Sequence, residues 1–297
     1  MKHILIIGAK GFIGMHLSAF FRKRNAVVHT CDVVESREEN YHCLSPGSPN
    51  FEEIFSKQKF DVCINASGSG SVAFANEHPG TDHVLNVLNV QRILEAIKTH
   101  DPQCRLVQFS SAAVYGNPEK LPIAESDPIR PVSTYGKHKY ESELLCRDYF
   151  NEWAIASCCL RVFSVYGPGL RKQLFWDLFR QAREKEVITL GGTGRESRDF
   201  IFIDDLVRAV EQVILSAKFN SAPINVASGT ETSIRDAATC FLERSGPGKK
   251  VNFSGVLRKG DPLNWRADIG LIRSLGFRPE VSLGDGLEKY LQWLRNL

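Results

Sequence analysis

Apolar residues in this chain recur in two ways: as short unbroken runs, and as longer stretches in which they return every three or four positions. The first unbroken run is His3-Ile-Leu-Ile-Ile7, whose β-branched character predicts a strand buried on both faces. Residues 27–32, 60–66, 105–109 and 154–163 repeat that pattern. Between them the period lengthens, predicting helices from the turn after Ile7 to about Arg24, over 84–100, and from about Thr134 to Asn151. Strand alternating with helix predicts an α/β protein with a doubly wound parallel sheet, because parallel neighbours need a crossover long enough to hold a helix. The 84–100 helix carries apolar residues at 84, 85, 87, 88, 90, 93, 94 and 97, a wider face than one sheet requires, and contact with a second subunit is expected there.

Beyond residue 165 the alternation loosens. Strands are predicted at 186–190 and from 198 into a helix over 204–217, with a turn at 191–194, a short strand at 224–227 and helices at 233–244 and 283–294. This region reads as a second, smaller α/β lobe. No repeat, low-complexity tract or flexible linker separates it from the first, so the two should pack closely.

Composition narrows the class without choosing a function. At 297 residues, 43% hydrophobic and 24% charged, the chain can bury a large core and matches ordinary globular proteins. A net charge of +3 is too mild to imply nucleic acid, and no basic stripe interleaved with aromatics is present. The eight cysteines form no C-x-x-C and several sit inside apolar runs, as in Asp61-Val-Cys63-Ile-Asn65; they read as buried thiols, with no structural metal. A strand starts within two residues of Met1 and no apolar run reaches the ~18 residues that span a bilayer, so a cytoplasmic location is expected.

Chemistry enters at the turn after the first strand, Gly8-Ala-Lys-Gly11-Phe12-Ile13-Gly14. Glycines there permit a tight turn and close backbone approach to a pyrophosphate, while the following helix N-terminus offers free amides to the anion. The second strand ends in Asp32, placed to hydrogen-bond an adenosine ribose and to disfavour a 2′-phosphate; a dinucleotide site for NAD rather than NADP is expected. The segment Ala66-Ser67-Gly-Ser-Gly70 should skirt that cofactor, and Ser111 lies just past a parallel strand's carboxyl end, where such sheets bind ligands. In Ser133-Thr-Tyr135-Gly-Lys-His-Lys139, Tyr135 and Lys139 are four apart on one helix face. A phenol titrates near ~10, too high for a base at neutral pH, and an adjacent ammonium is expected to lower it.

Eight segments occur in an order that resembles the extended short-chain dehydrogenase/reductases of the NAD-dependent epimerase/dehydratase family: GAKGFIG, NVLNVQRILEAI, SSAAVYG, ESDPIRPVSTYGKHK, LRVFSVYGPG, RDFIFIDD, NVASG and LRKGDPLNWRAD. The resemblance implies a Rossmann-type NAD-binding domain over 1–165 with a return near 200–230, and a nucleotide-sugar-binding lobe over 166–199 and 231–297. It implies Tyr135 as acid/base on a sugar hydroxyl, Lys139 on the nicotinamide ribose, Ser111 on the same hydroxyl, Arg198 and Arg258 at the nucleotide diphosphate, and a homodimer through the helices near 84–100 and 134–150. Ser164 stands where the family usually has a substrate-reaching asparagine, and Asn65-Ala-Ser-Gly68 replaces a usual His-Leu-Ala-Ala.

Ala112 and Ala113 occupy the positions where dehydratases of the family carry an Asp-Glu pair, and alanines transfer no protons. The expected activity is therefore a nucleotide-sugar epimerase acting at C4 through a transient 4-keto sugar. The alternative is an NAD(P)H-dependent reductase of nucleotide 4-keto-deoxysugars. A non-catalytic NAD(P)-binding scaffold or sensor is the reading from another class, disfavoured because both Tyr135 and Lys139 are kept.

Overall fold

In the computed structural model, which describes residues 2–246, 248–257, 260 and 262–297, the unbroken apolar runs become the middle of one sheet. The strands are β1 (His3–Ile7), β2 (Val27–Asp32), β3 (Tyr41–Cys43), β4 (Val62–Asn65), β5 (Arg105–Ser111), β6 (Ser157–Val162), β7 (Ser164–Tyr166), β8 (Val187–Leu190), β9 (Ser197–Phe202), β10 (Asn220–Val226), β11 (Glu231–Ser233) and β12 (Lys250–Phe253). Seven of them form a sheet in the order β10-β6-β5-β4-β1-β2-β3, every pair parallel. The chain leaves β1 toward β2 and β3 on one side and crosses to β4 and β5 on the other. The direction reverses between β1 and β4, and a crevice opens at their carboxyl ends.

The helices are α1 (Phe12–Lys23), α2 (Phe51–Lys57), α3 (Val72–Glu77), α4 (Pro79–His83), α5 (Asn89–His100), α6 (Thr134–Trp153), α7 (Gln173–Ala182), α8 (Ile203–Ser216), α9 (Ile234–Ser245), α10 (Gly270–Ser274) and α11 (Leu283–Arg295). Alternate strand residues point to opposite faces and build two cores. Ile4, Ile6, Val62 and Ile64 pack with Leu17 and Phe21 of α1 and Val207 and Val210 of α8. Leu5, Ile7, Cys63 and Leu106 pack instead with Phe55 of α2, Ile93, Leu94 and Ile97 of α5, and Cys146 of α6. Burial on both faces explains why these strands read as unbroken apolar runs. The thiols inside them are free, and none of the eight cysteines is paired.

Two small sheets lie beyond the main one, β11-β9-β7 and the parallel pair β12-β8. Asp199 of β9 ties the three-stranded sheet to the segments after β10 and before α10. Its fully buried carboxylate accepts hydrogen bonds from Ser228 N and Oγ at 2.8 and 2.7 Å, Gly229 N at 3.0 Å and Ala267 N at 3.1 Å.

The helix predicted over 84–100 begins earlier, at Pro79, and residues 84–88 are wound as a π-helix before α5. Such wide turns mark inserted constraints, often near functional sites. Here the turn carries Asn86 into buried contacts with Asp82 and the Ser69 carbonyl. Pro223 lies within β10, which is tolerated because β10 is an edge strand. Short elements such as β3, α2, α3 and α7 escaped the periodicity reading, since they offer too few repeats. No helix among the described residues is long and apolar enough to cross a membrane.

Candidate active site

The glycine turn is built against the segment after β4. Gly8 has φ +80°, and its N–H and that of Ala9 both donate to Cys31 O, at 2.9 and 3.2 Å. A Cβ on Gly8 would lie 2.7 Å from Ser67 N; one on Gly14 would lie 2.8 Å from both Ala9 Cα and Gly8 C, with Gly8 O closer still. Only bare backbone fits. Gly11 caps α1 without any side-chain hydrogen bond and the first turn holds no acid, so the amides of Phe12, Ile13 and Gly14 are left for an external anion.

Asp32 ends β2 beside this turn, its Oδ2 accepting from Lys10 N at 2.8 Å and its Oδ1 from Val33 N at 2.7 Å. Ala66 N donates to Ile7 O at 3.0 Å, and Ser67 Oγ to Asn65 Oδ1 at 2.6 Å. Gly8, Gly11, Phe12, Ile13, Gly14, Asp32, Ala66 and Ser67 thus gather at the carboxyl ends of β1, β2 and β4. A cradle of Cβ-free backbone, unsatisfied helix amides and one carboxylate suits a dinucleotide.

On the other side of the crevice, Ser111 is the last residue of β5, its Oγ accepting from Ala113 N at 3.1 Å. The Ser133 hydroxyl caps α6 by accepting from Gly136 N at 3.1 Å, which fixes the first turn that carries Tyr135. A Cβ on Gly136 would approach Ala113 O to 2.5 Å, so α6 rests directly on the turn after Ser111. Lys139 Nζ lies 5.9 Å from the Tyr135 ring centre and donates to Phe109 O at 2.9 Å. Tyr135 is half-buried and Lys139 almost wholly so.

That burial sets the proton affinities. Burial pushes the Tyr135 phenol up to about 12, a hydrogen bond with Ser111 opposing and the Asp82 charge adding to the rise. Burial lowers Lys139 to about 8, with Asp82, Cys159 and Glu143 holding it up. The downward pull of Lys139 expected on Tyr135 does not act in the protein alone: desolvation dominates the phenol, and a lysine lowered to about 8 has lost its charge before the phenol ionises.

Beneath these groups lies a polar network whose partners are too far apart in sequence to be seen there. Glu143 of α6 accepts from Ser110 Oγ at 2.5 Å and from Arg161 Nε and Nη2 at 3.0 and 2.7 Å. Arg161 also donates to Tyr115 Oη at 2.9 Å, whose hydroxyl donates to Asn225 Oδ1 at 2.7 Å. β5, α6, β6 and β10 are thereby locked together directly under Ser111. Only partner-satisfied charge is stable at such depth.

The proposed substrate side is less convergent. Ser164 opens β7 and pairs in register with Phe200 of β9, two residues from Arg198. Arg198 donates to Ser197 O at 2.8 Å and Leu263 O at 3.2 Å, and its guanidinium stands 5.4 Å from the Trp265 ring centre. Arg258 lies outside the described residues. Ala112 and Ala113 form a buried turn after Ser111 and present no titratable group.

With this geometry in place, comparison with known proteins is decisive. The family model for the NAD dependent epimerase/dehydratase family matches residues 4–227. The chain belongs to this family. It is 26% identical over 306 residues to a putative UDP-glucose 4-epimerase of Methanocaldococcus jannaschii, covering 99% of this chain and 98% of that protein. To the UDP-glucose 4-epimerase of Mycolicibacterium smegmatis it is 28% identical over 313 residues, covering 98% of each. The solved UDP-glucuronic acid 4-epimerase of Bacillus cereus, in complex with UDP-glucuronic acid and NAD, superimposes with a TM-score of 0.89 at 26% identity, covering 99% of both chains. The family resemblance and the Rossmann-type sheet drawn from the sequence are both borne out.

Proposed function

We propose that this protein is an NAD-dependent nucleotide-sugar 4-epimerase. The observation that carries the reading is the convergence, at one sheet switch point, of the glycine cradle with Ser111, Tyr135 and Lys139, with alanines rather than a second proton-transfer pair directly after Ser111. The relatives named above, two UDP-glucose 4-epimerases and a UDP-glucuronic acid 4-epimerase solved with UDP-glucuronic acid and NAD, support it.

Gly8, Gly11, Phe12, Ile13 and Gly14 would hold the pyrophosphate, Asp32 the adenosine ribose, and Lys139 the nicotinamide ribose. NAD supplies, when bound, a hydride acceptor that gives the hydride back, and a positive charge near the phenol. Tyr135 takes the proton from the sugar C4 hydroxyl as that carbon is oxidised to a ketone, and returns it as the carbon is reduced on its other face. A phenol held at about 12 in the free protein is a poor base. It ionises only once positive charge stands beside it, which ties proton removal to the loaded site. Ser111, which hydrogen-bonds the phenol, shares the substrate hydroxyl. Alanines at 112 and 113 confine the chemistry to redox at one carbinol carbon.

The same reading assigns Asp32 a preference for NAD over NADP, because a 2′-phosphate would face its carboxylate. Ser164, Arg198 and Arg258 belong to the diphosphate-sugar side, in a lobe of residues 166–199 and 231–297. The functional unit is a cytoplasmic homodimer that pairs through 84–100 and 134–150. The test is incubation of purified protein with UDP-glucose, UDP-N-acetylglucosamine and UDP-glucuronate without added cofactor, with the C4 epimer read by proton NMR. Epimer formation is expected; turnover only of 4-keto sugars, and only with added NAD(P)H, would assign the reductase chemistry instead.

A further inference from the structure

The loop from β2 to β3 brings to the adenosine end of the crevice an acid that the reading above leaves unused. After Asp32 the chain turns back, and Asn40 O accepts from Thr30 N at 2.9 Å before β3 begins in parallel with β2. This return lays Glu38 against the glycine turn and α1. One of its carboxylate oxygens pairs with Lys10 Nζ, and the other accepts from Arg22 Nη2 at 3.1 Å. The Lys10 ammonium also stands 5.0 Å from the Tyr41 ring centre, and the Tyr41 hydroxyl donates to Val34 O, closing the loop on itself.

Lys10 makes this cluster consequential for the ligand. It belongs to the glycine turn, and its own N–H donates to Asp32 Oδ2 at 2.8 Å, so its side chain departs from beside the carboxylate assigned to the adenosine ribose. A lysine stem is flexible, and its ammonium is a point charge well suited to phosphate. Two residues of opposite sign therefore border the ribose 2′ position. Asp32 repels a 2′-phosphate, whereas an unpaired Lys10 would attract one. Glu38 removes that attraction. The hydrogen bond from Lys10 holds its carboxyl below the usual carboxylate range, with burial opposing and Arg22 adding, so the acid is ionised at neutral pH.

We propose that Glu38 is a specificity-determining residue for the dinucleotide: it masks Lys10, so that a 2′-phosphate meets the Asp32 carboxylate with no cation to offset it. Preference for NAD over NADP then belongs to two acids, one facing the ribose and one neutralising the cation next to it. The proposal rests on the crevice binding a dinucleotide with Asp32 at its ribose, as set out above. It adds that ligand choice is adjustable from outside the cradle. The side chains of Glu38 and Arg22 are 44% and 40% exposed. An ion pair so exposed adds little to the fold, and its loss should register in ligand choice rather than stability.

The experiment reads ligand choice directly and needs no turnover. Wild type, Glu38→Gln, Lys10→Met and the double variant are each equilibrated with NAD and NADP together in excess, and the nucleotides released on denaturation are quantified by mass spectrometry. Wild type is expected to retain NAD. Glu38→Gln keeps the shape and removes the charge; it should raise the retained ratio of NADP to NAD by about tenfold, the worth of one charge-assisted bond to phosphate, with the melting temperature unchanged. In the Lys10→Met background the same substitution should leave the ratio within about twofold, because the cation it unmasks is gone. An unmoved ratio in Glu38→Gln would overturn the proposal. An equal rise with and without Lys10 would overturn it too, since Glu38 would then act on the phosphate directly. Wild type that retains NADP as well as NAD would remove both Glu38 and Asp32 from ligand choice, and wild type that retains neither would defeat the dinucleotide site itself. Retention of NAD with an unmoved ratio is the failure of this proposal alone.

Discussion

Gly14→Ala is the sharpest single test of the cofactor cradle. The added methyl would stand 2.8 Å from Ala9 Cα and Gly8 C and nearer still to Gly8 O, all backbone atoms that no rotamer change can move aside. Contacts under 3.0 Å are essentially never made by real Cβ atoms, so the first turn of α1 and the strand-to-helix turn must part by several tenths of an ångström or more. Overpacking of this kind costs about 1–3 kcal/mol. At about 2–4 °C per kcal/mol for a chain of this size, the melting temperature should fall by about 2–12 °C. The larger effect is on binding. If the displacement removes two charge-assisted backbone bonds to a pyrophosphate, each worth about 1.5 kcal/mol or more, NAD affinity drops by about 100-fold. Gly11→Ala is the milder comparison, since its Cβ would meet Gly8 O at a tight 3.2 Å and the site has an ordinary φ of −75°; its melting temperature should fall less than that of Gly14→Ala. NAD affinity is read by calorimetry and stability by thermal unfolding. A Gly14→Ala protein that melts lower but binds NAD with wild-type affinity would remove the glycine turn from the cofactor site.

Other consequences are equally concrete. Tyr135→Phe should cut epimerase turnover by about 10²–10⁴-fold while NAD binding and melting temperature hold; turnover within tenfold of wild type would assign the acid/base role elsewhere. Glu143→Ala strands Arg161 and Ser110 in the interior and should cost about 3–5 kcal/mol in urea unfolding. A loss below about 1 kcal/mol, the range of an exposed pair, would show that the network bears little weight. His29 and His42 stack at 5.7 Å across β2 and β3, and burial followed by mutual repulsion holds His29 below the usual 6.5; His42 is lowered by burial, then by Lys57. Their contribution is full above pH 6.5 and is lost as pH falls through that value toward the lowered folded ones. Asp199, raised by burial to about 6, works oppositely, favouring the fold as it takes up a proton. The comparison is therefore between proteins: urea midpoints at about pH 7.5 and 5.5 should drop more for wild type than for His42→Gln. Equal drops would contradict the assignment.

How far the chain could be read follows from the range of each cause. The runs at 3–7, 27–32 and 105–109 were legible because burial on both faces leaves a local, continuous apolar record. The glycine turn, Asp32 and the Tyr135/Lys139 spacing were legible for the same reason: each is a relation among residues at most about a helix-and-strand apart. β3 and α2 were missed because three or seven residues carry too little period. The early start of the 79–100 helix left no periodic signal, since Pro79–His83 contains no apolar residue, although proline suits a first helical turn.

The partners of the reactive groups belong to another category. Asp82 and His138 are 56 positions apart, and Tyr115 and Asn225 are 110 apart; no local pattern announces either pair. Local chemistry alone specifies a parallel sheet, an anion-ready helix start and a tyrosine with a lysine on one helix face, because those depend on spacing and backbone freedom. The proton affinities of that tyrosine and lysine are different in kind. They depend on how much water is excluded and on which distant carboxylate is brought close, and both are set only when the chain has folded.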